Sequence, residues 1–349
     1  MPKNAVRLRV HPVAPRLNAG VAASIARALL FAALLSSAVA HARSDTAPLD
    51  VVATVGMVAD VIREVGGPCV DVTVLMGPGI DPHLYRASAG DVARLGRAAL
   101  IVYNGFNLEG QLGAVLDRIG TRVATLALAE SIAAKVGEEV LLEGEDAFSA
   151  QADPHLWGDA SLWARGATVA AERLTDLRPD CGDELAERAA AYRSQLEALH
   201  AWAAASVASI PEGQRTLITS HDAFEYFGAA YGLDVAGIEG ISTESEASIA
   251  DIRDATDLVT ATGVRAIFIE TTISPRTIEA VQAAVRDRGG EVAIGGALFG
   301  DAMGEHGSPE GTYVGMVRHN VRVIVSALGG DLAPWPDALA PWAEAWGLE

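Results

Sequence analysis

Eight short runs of β-branched and other apolar residues, arranged in two groups of four, are the feature that most constrains the fold. Segments with helical periodicity alternate with these runs, and such alternation is typical of parallel sheets covered by helices. The first group comprises residues 50–55, 70–76, 99–103 and 122–126, and the second comprises residues 215–219, 233–238, 265–270 and 291–296. The sequence therefore predicts an α/β protein with two similar lobes.

One long amphipathic helix is predicted between the two groups, in residues 181–211. Its apolar positions recur at spacings of three and four, namely Leu185, Ala189, Tyr192, Leu196, Leu199, Ala203 and Val207, and this is the period of a helix with one buried face. Asp183 is expected to cap its start, and Pro211 lies beyond its end. About 25 helical residues span roughly 38 Å, enough to reach both lobes. An ordinary long surface helix stays open as the alternative.

The first 42 residues have the pattern of a secretory signal. Five Lys and Arg residues precede or border an apolar run at residues 28–40, which is shorter than the roughly 20 residues of a membrane-spanning helix and ends in small residues typical of a cleavage site. No cysteine lies there to take a lipid, so a free periplasmic protein is expected. The predicted organisation is a signal peptide at 1–42, an N-terminal lobe at 43–180, a linking helix at 181–211 and a C-terminal lobe at 212–349.

The mature chain is strongly acidic. Loss of residues 1–42 removes five positive charges and no negative ones, so the formal charge goes from −19 to −24. Nucleic acid and anionic lipid are not expected as partners, because their binding depends on Lys and Arg that neutralise phosphates. Cys69 and Cys181 are the only cysteines. Whether they pair in an oxidising compartment is left open, because pairing needs a short distance that sequence does not reveal.

Four residues are candidates for one metal site. His83, His221 and Asp301 each follow a predicted strand, at the sheet edge where open α/β folds place their ligands. His155 lies in a loop that precedes a predicted helix. Two of the four come from each lobe, so they are expected to converge on the interlobe cleft. Three imidazoles and one carboxylate suit a borderline divalent ion, Zn(II) above all, with Mn(II) as the alternative.

The phrase Asp-Pro-His-Leu-aromatic occurs twice, at residues 81–85 and 153–157. Proline fixes its own φ and restricts the residue before it, so both imidazoles are carried on stiff backbone. Rigid presentation suits a ligand that must be in place before the metal arrives. Because histidine must be neutral to bind, the affinity is expected to fall as the pH drops through about 6.

The other three histidines of the mature chain have plainer explanations. His200 lies beside apolar positions of the long helix and is expected to pack against a lobe. His306, in a glycine-rich loop, is expected to be exposed, and His319 is expected to be a helix residue that makes structural hydrogen bonds.

Five motifs in order resemble the zinc- and manganese-binding solute-binding proteins of bacterial ABC metal importers, the cluster A-I metal receptors. The motifs are GIDPHLY, DPHLWGD, SHDAFEYFGAAYGL, GISTESEAS and GDAMGEHGSPEGTYVGMVRHNV. The resemblance runs from about residue 48 to about residue 329 and implies two α/β lobes joined by a single rigid helix. It also implies one metal held by His83, His155, His221 and Asp301, a monomer, no enzymatic activity, and an ABC transporter permease as the membrane partner.

Two features of the resemblance concern the choice of metal. Manganese-specific relatives commonly have glutamate at the third ligand position, whereas this chain has His221, so it is more similar to the zinc branch or to the branch that takes both ions. Many zinc-uptake relatives also have a loop rich in histidine before the second ligand, but residues 127–152 contain no histidine. The sequence therefore favours zinc and leaves manganese open.

Two other classes of protein, a secreted zinc hydrolase and an adhesin, are the alternatives to a metal receptor. A secreted zinc hydrolase would use three protein ligands and an activated water, but the sequence has no HExxH motif and no recognisable nucleophile elbow. An adhesin would need no metal, and nothing in the sequence favours it. Glu244, Glu246 and Asn104 are expected near the cleft, either as supports for the ligands or as ordinary loop caps.

Overall fold

The computed structural model describes residues 47–137, 141–142 and 152–348. The predicted signal peptide therefore lies outside the described residues. Within the described part of the chain, no helix combines the length and the apolar character needed to cross a membrane.

The first lobe is built on a four-stranded parallel sheet in the order β2-β1-β3-β4. The central strands β1 (Leu49–Ala53) and β3 (Leu100–Tyr103) are mostly buried, which explains their nearly continuous apolar sequence. The edges are β2 (Val70–Val74) and β4 (Ala124–Ala127). The strand order reverses between β1 and β3, so the cleft is expected at the carboxyl ends of these strands.

Helices cover this sheet and connect its strands. They are α1 (Gly56–Gly66), α2 (Ala89–Leu95), α3 (Gly113–Gly120), α4 (Leu128–Val136), α5 (Ala160–Trp163) and α6 (Arg165–Leu177). Helix α1 packs against β2 and α6. Its eight buried positions place it in the centre of the lobe.

The second lobe contains two parallel strand pairs. Strand β5 (Thr216–His221) pairs with β6 (Asp234–Glu239), and β7 (Ala266–Glu270) pairs with β8 (Ala293–Leu298). Strands β5 and β7 lie side by side. The helices of this lobe are α8 (Glu225–Tyr231), α9 (Ile249–Thr262), α10 (Arg276–Asp287), α11 (Tyr313–Leu328) and α12 (Ala340–Ala345). The predicted fold, two α/β lobes with parallel sheets, is confirmed.

The long helix α7 (Gly182–Val207) contacts both lobes. It packs against α1 and α6 of the first lobe and α11 of the second, and every apolar position predicted to be buried is buried. The predicted cap at Asp183 is wrong. A short 3-10 turn, Pro179–Cys181, leads directly into the helix, so Asp183 already lies in the first turn, where its charge complements the positive end of the helix dipole.

A disulfide answers the question that the sequence left open. Cys69 and Cys181 are bonded, with Cα atoms 6.5 Å apart. The bond ties the segment between α1 and β2 to the start of α7. Because it closes a loop of 112 residues, it restricts the unfolded chain considerably.

Candidate metal centre

The four predicted side chains meet in the cleft between the lobes. His83, His155, His221 and Asp301 each offer a ligand atom within 4.8 Å of the other three. The Nε2 atoms of His83 and His221 lie 3.3 and 3.2 Å from Oδ2 of Asp301, and Nε2 of His155 lies 3.3 Å from Oδ1. All four residues are at most 3% exposed. Two lobes thus contribute two residues each to one buried cluster.

The atoms that face the centre of this cluster have no hydrogen-bond partner among the described residues. They are the three Nε2 atoms and both carboxylate oxygens of Asp301. Each buried polar atom without a partner costs about 1–3 kcal/mol, and a converging set of five calls for an explanation. A cation placed among them would have the three imidazole nitrogens and the carboxylate of Asp301 as ligands. Three nitrogens and one carboxylate fit the four-coordinate site that zinc prefers.

Asp153 orients the imidazole of His155. Its Oδ1 accepts the backbone N–H of His155 at 2.9 Å and lies 2.7 Å from Nδ1 of the same residue. A carboxylate on Nδ1 favours the tautomer whose Nε2 lone pair is available to a metal. Asn104 donates from Nδ2 to the carbonyl oxygen of Pro154 at 2.9 Å, so the loop before His155 is held from the end of β3.

Glu270 orients the imidazole of His221 in the same way. Its Oε1 accepts the backbone N–H of His221 at 2.9 Å, and its Oε2 lies 2.9 Å from Nδ1. Gly300 makes room for this carboxylate, since a Cβ there would clash with Oε2. Glu270 is not among the residues predicted from the sequence. A carboxylate that ends an otherwise apolar strand, at the same sheet edge as His221, is the signal that identifies it.

His83 is supported differently from the other two histidines. Oδ1 of Asp81 accepts its backbone N–H at 2.9 Å, and Oδ2 of Asp81 accepts the hydroxyl of Thr243 at 2.6 Å. Thr243 belongs to the second lobe, so this carboxylate joins a ligand of one lobe to the other lobe. Thr243, the neighbour of the predicted Glu244, is not recognisable from the sequence, because a single threonine in a polar loop has no distinguishing pattern.

The electrostatics of the site favour positive charge on His155 and His221 and negative charge on Asp301. Burial opposes ionisation of Asp301, but His221 and His155 outweigh it and hold the pKa of that carboxyl well below its usual range. Burial also opposes the charged form of His155, yet Asp153 and Asp301 raise its pKa to about 9. The pKa of His221 is raised well above its usual value, against burial, by Glu270 and Asp301. A divalent ion would replace protons at this cluster.

The three polar residues expected near the cleft occupy different positions. Asn104 is fully buried, and its backbone N–H donates to Glu109, also buried, at 2.8 Å. Glu244 accepts from Nε2 of Gln111 at 2.6 Å, an exposed hydrogen bond between the two lobes. Glu246 is exposed to solvent. Asn104 therefore supports the ligand loop, whereas Glu244 joins the lobes at their surface.

The other three histidines of the described residues lie apart from the cluster. Nδ1 of His200 is 3.3 Å from Oδ1 of Asp159, and its ring packs on Tyr231. His306 is exposed. His319, in α11, has Nε2 3.0 Å from the carbonyl oxygen of Ala297. All three agree with their sequence-based explanations.

Two α/β lobes, a long helix against both, and an enclosed set of nitrogen and oxygen donors define the class as a solute-binding receptor for a metal ion. The chain matches the family described as zinc-uptake complex component A, periplasmic, over residues 51–327. It belongs to that family.

Individual relatives agree with this assignment. The chain is 44% identical over 287 residues to the zinc-binding protein TroA of Treponema pallidum (strain Nichols), covering 82% of this chain and 91% of that protein. It is 40% identical over 280 residues to the manganese-binding lipoprotein MntA of Bacillus subtilis (strain 168), covering 80% and 90%. The solved structure of the periplasmic zinc-binding protein TroA from Treponema pallidum matches with a TM-score of 0.77 and 43% identity, covering 81% of this chain and 99% of that one.

Proposed function

We propose that this protein captures one divalent transition-metal ion outside the cytoplasm and delivers it to the permease of an ABC transporter. The observation that carries the proposal is the buried set of four donor residues, two from each lobe, with ligand atoms within 4.8 Å of one another. Four protein donors enclose an ion, whereas a zinc hydrolase keeps one position open for water. The family consists of receptors, so the chain is not an enzyme.

The proposed ligands are Nε2 of His83, His155 and His221 and the carboxylate of Asp301. Three nitrogen donors and one oxygen favour Zn(II) over Mn(II), which prefers oxygen. A receptor that takes both ions is the alternative, supported by the relative named for manganese at 40% identity. His221 in place of a carboxylate favours zinc within that choice.

The domain organisation and location complete the proposal. Residues 1–42 act as a cleaved signal, residues 43–180 and 212–349 are the two lobes, and residues 181–211 contain the linking helix. The mature protein is a periplasmic monomer. The two cysteines of the sequence, Cys69 and Cys181, are bonded to each other.

A titration of metal-stripped protein from residue 43 onward, with zinc and separately with manganese, tests this function. One equivalent of zinc bound far more tightly than manganese is the expected result, and comparable binding of both identifies a dual receptor. His200→Ala is the matched control, because His200 lies outside the cluster and the substitution leaves the four donors in place. Absence of tight binding of either ion would overturn the receptor function.

A further inference from the structure

We propose that Asp81 and Thr243 form an interlobe latch that positions His83 and thereby sets the rate at which the metal leaves. The inference rests on the proposed metal-binding function. Neither residue has an atom in the four-donor cluster, so both are positioning residues rather than ligands.

The latch is a pair of hydrogen bonds that share one carboxylate. Asp81 accepts from the backbone of His83 through Oδ1 and from the hydroxyl of Thr243 through Oδ2, at 2.9 and 2.6 Å. Thr243 is 7% exposed, so water competes little for its hydroxyl. Hydrogen bonds to a charged acceptor are stronger than neutral ones. The orientation of His83 is thus coupled to the position of the second lobe.

The chain before His83 has little other packing. Residues 77–80 are all exposed, and Asp81 is half-buried. A cavity of about 260 Å³ lies beside this segment, lined by Gly77, Pro78 and Ile80 on one side and by Ala302 and Met303 on the other. The segment therefore has space to move into when Asp81 loses its partner in the other lobe.

The chain around His155 is held by several contacts instead of one. Residues 153–157 are all buried. Nε1 of Trp157 donates to the carbonyl oxygen of Gly300 at 3.1 Å, and the hydroxyl of Tyr313 donates to the carbonyl oxygen of Trp157 at 2.6 Å. Both partners belong to the second lobe, which also carries His221 and Asp301. Three of the four donors thus lie on one continuously packed body, and His83 is the donor whose removal opens the site.

This arrangement makes His83 the first ligand to leave. When the Thr243 hydroxyl separates from Asp81, the carboxylate no longer links the backbone of His83 to the second lobe through hydrogen bonds. The metal is then held by three donors, and its fourth position is open to water or to an acceptor. Loss of the latch should accelerate release more than it slows capture, because capture begins from the open arrangement.

Stopped-flow transfer of zinc from the loaded protein, residues 43–349, to an excess of a chromogenic chelator measures the release rate. Thr243→Val keeps the shape of the side chain and removes the hydroxyl, and we expect release about tenfold faster, the loss of one hydrogen bond to a charged group. Thr243→Ser restores the donor and should release within about twofold of the parent rate. The metal-free form of all three should stay folded and give a single cooperative thermal transition, so that a change in release rate does not reflect unfolding.

Gln111→Ala is the matched control, because it removes another interlobe hydrogen bond, to Glu244, that touches no ligand loop. It should leave the release rate unchanged. A second measurement combines Thr243→Val with Asp81→Asn, and the double variant should release zinc no faster than the faster single variant, because both changes break the same link.

Three results would overturn the latch: Thr243→Val releasing zinc at the parent rate, Gln111→Ala accelerating release equally, or the two latch substitutions multiplying in effect. Stoichiometry separates this failure from failure of the proposed function. A parent protein that takes up one zinc and shows any of these results retains its receptor function without a latch, whereas a parent that binds no metal loses both.

Discussion

The two copies of the Asp-Pro-His phrase have the same sequence and different surroundings. In both, the aspartate accepts the backbone N–H of the histidine two residues later at 2.9 Å. In the second copy the same oxygen of Asp153 also contacts Nδ1 of its own histidine. In the first copy the other oxygen of Asp81 is bonded to Thr243 of the opposite lobe. In the second copy the aspartate side chain contacts the backbone and the ring of its own histidine, whereas in the first copy it joins the histidine backbone to the other lobe.

Removal of the two imidazoles should give the largest difference between the copies. We expect His155→Ala to weaken zinc binding at least about 100-fold and His83→Ala at least about tenfold, because His155 belongs to the packed body and His83 to the adaptable segment. Competition with a chelator of known affinity measures both. Equal losses would show that the two copies contribute alike and that the contrast is only geometric.

Neutralising the two aspartates one at a time should affect two different quantities, the equilibrium affinity for zinc and the rate of zinc release. Asp153→Asn removes the carboxylate from Nδ1 of His155 and should weaken zinc binding about 10–100-fold, as loss of such a partner does at other metal sites. Asp81→Asn should change the equilibrium affinity less and the release rate more. Glu187→Gln, which removes an exposed charge in the second turn of α7, is the control for loss of one negative charge. An Asp81→Asn variant with the larger affinity loss would reverse the comparison.

The pH dependence of zinc binding should reflect the raised pKa of His155, the histidine of the second Asp-Pro-His phrase. The pKa of His155 is raised to about 9, so below that pH the metal-free histidine holds a proton that zinc must displace. The apparent affinity should therefore fall as the pH decreases through about 9, by about tenfold per unit, rather than only near 6 as expected for an unperturbed histidine.

Titrations between pH 6 and 9.5 measure this fall, and Asp153→Asn should move its onset to lower pH, because Asp153 is the largest of the groups that raise the pKa. The same variant of Asp81 should not move it. An affinity that is constant across this range in the parent protein would contradict proton displacement from His155.

The smallest effect is expected from substitution of Asp60, a buried carboxylate whose hydrogen-bond partner is a tyrosine. This substitution should change stability and not metal binding. Asp60 in α1 accepts the hydroxyl of Tyr192 at 2.6 Å. Burial, followed by repulsion from Glu64, raises its pKa to about 7, opposite in direction to the pKa of Asp301. The folded state thus holds a proton that the unfolded state releases near pH 4, so stability falls as the pH rises from about 4 to about 7.

Asp60→Asn should remove this contribution and raise the melting temperature of the metal-free protein relative to the parent by about 2–5 °C at pH 8, with a smaller gain at pH 5. Calorimetry at both pH values checks the sign. Glu187→Gln again serves as the surface control. A variant less stable than the parent at pH 8 would mean that Asp60 is stabilised by its partners more than burial costs it.

Much of the architecture follows from local sequence. The eight strands and the buried face of α7 are recognisable because period and β-branching are properties of neighbouring residues. The placement of the predicted ligands after strands is likewise readable, since parallel strands bring their carboxyl ends to one edge. His221 is the last residue of β5, Asp301 lies three residues beyond β8, and His83 lies nine residues beyond β2. The predicted cap at Asp183 is wrong because the 3-10 turn Pro179–Cys181 continues directly into α7, which begins at Gly182.

The sequence by itself determined the types of donor residue, the strands and loops that carry them, and the stiff Pro-His backbone on which two of them lie. Only the tertiary structure decided which distant residues become partners. Glu270 accepts a hydrogen bond from His221, Asp81 accepts one from Thr243, and Cys69 is bonded to Cys181. These partners lie 49, 162 and 112 residues apart. Contacts at such separations arise from packing of the lobes. Local periodicity does not predict them, because the period reflects only residues within one helical turn or one strand.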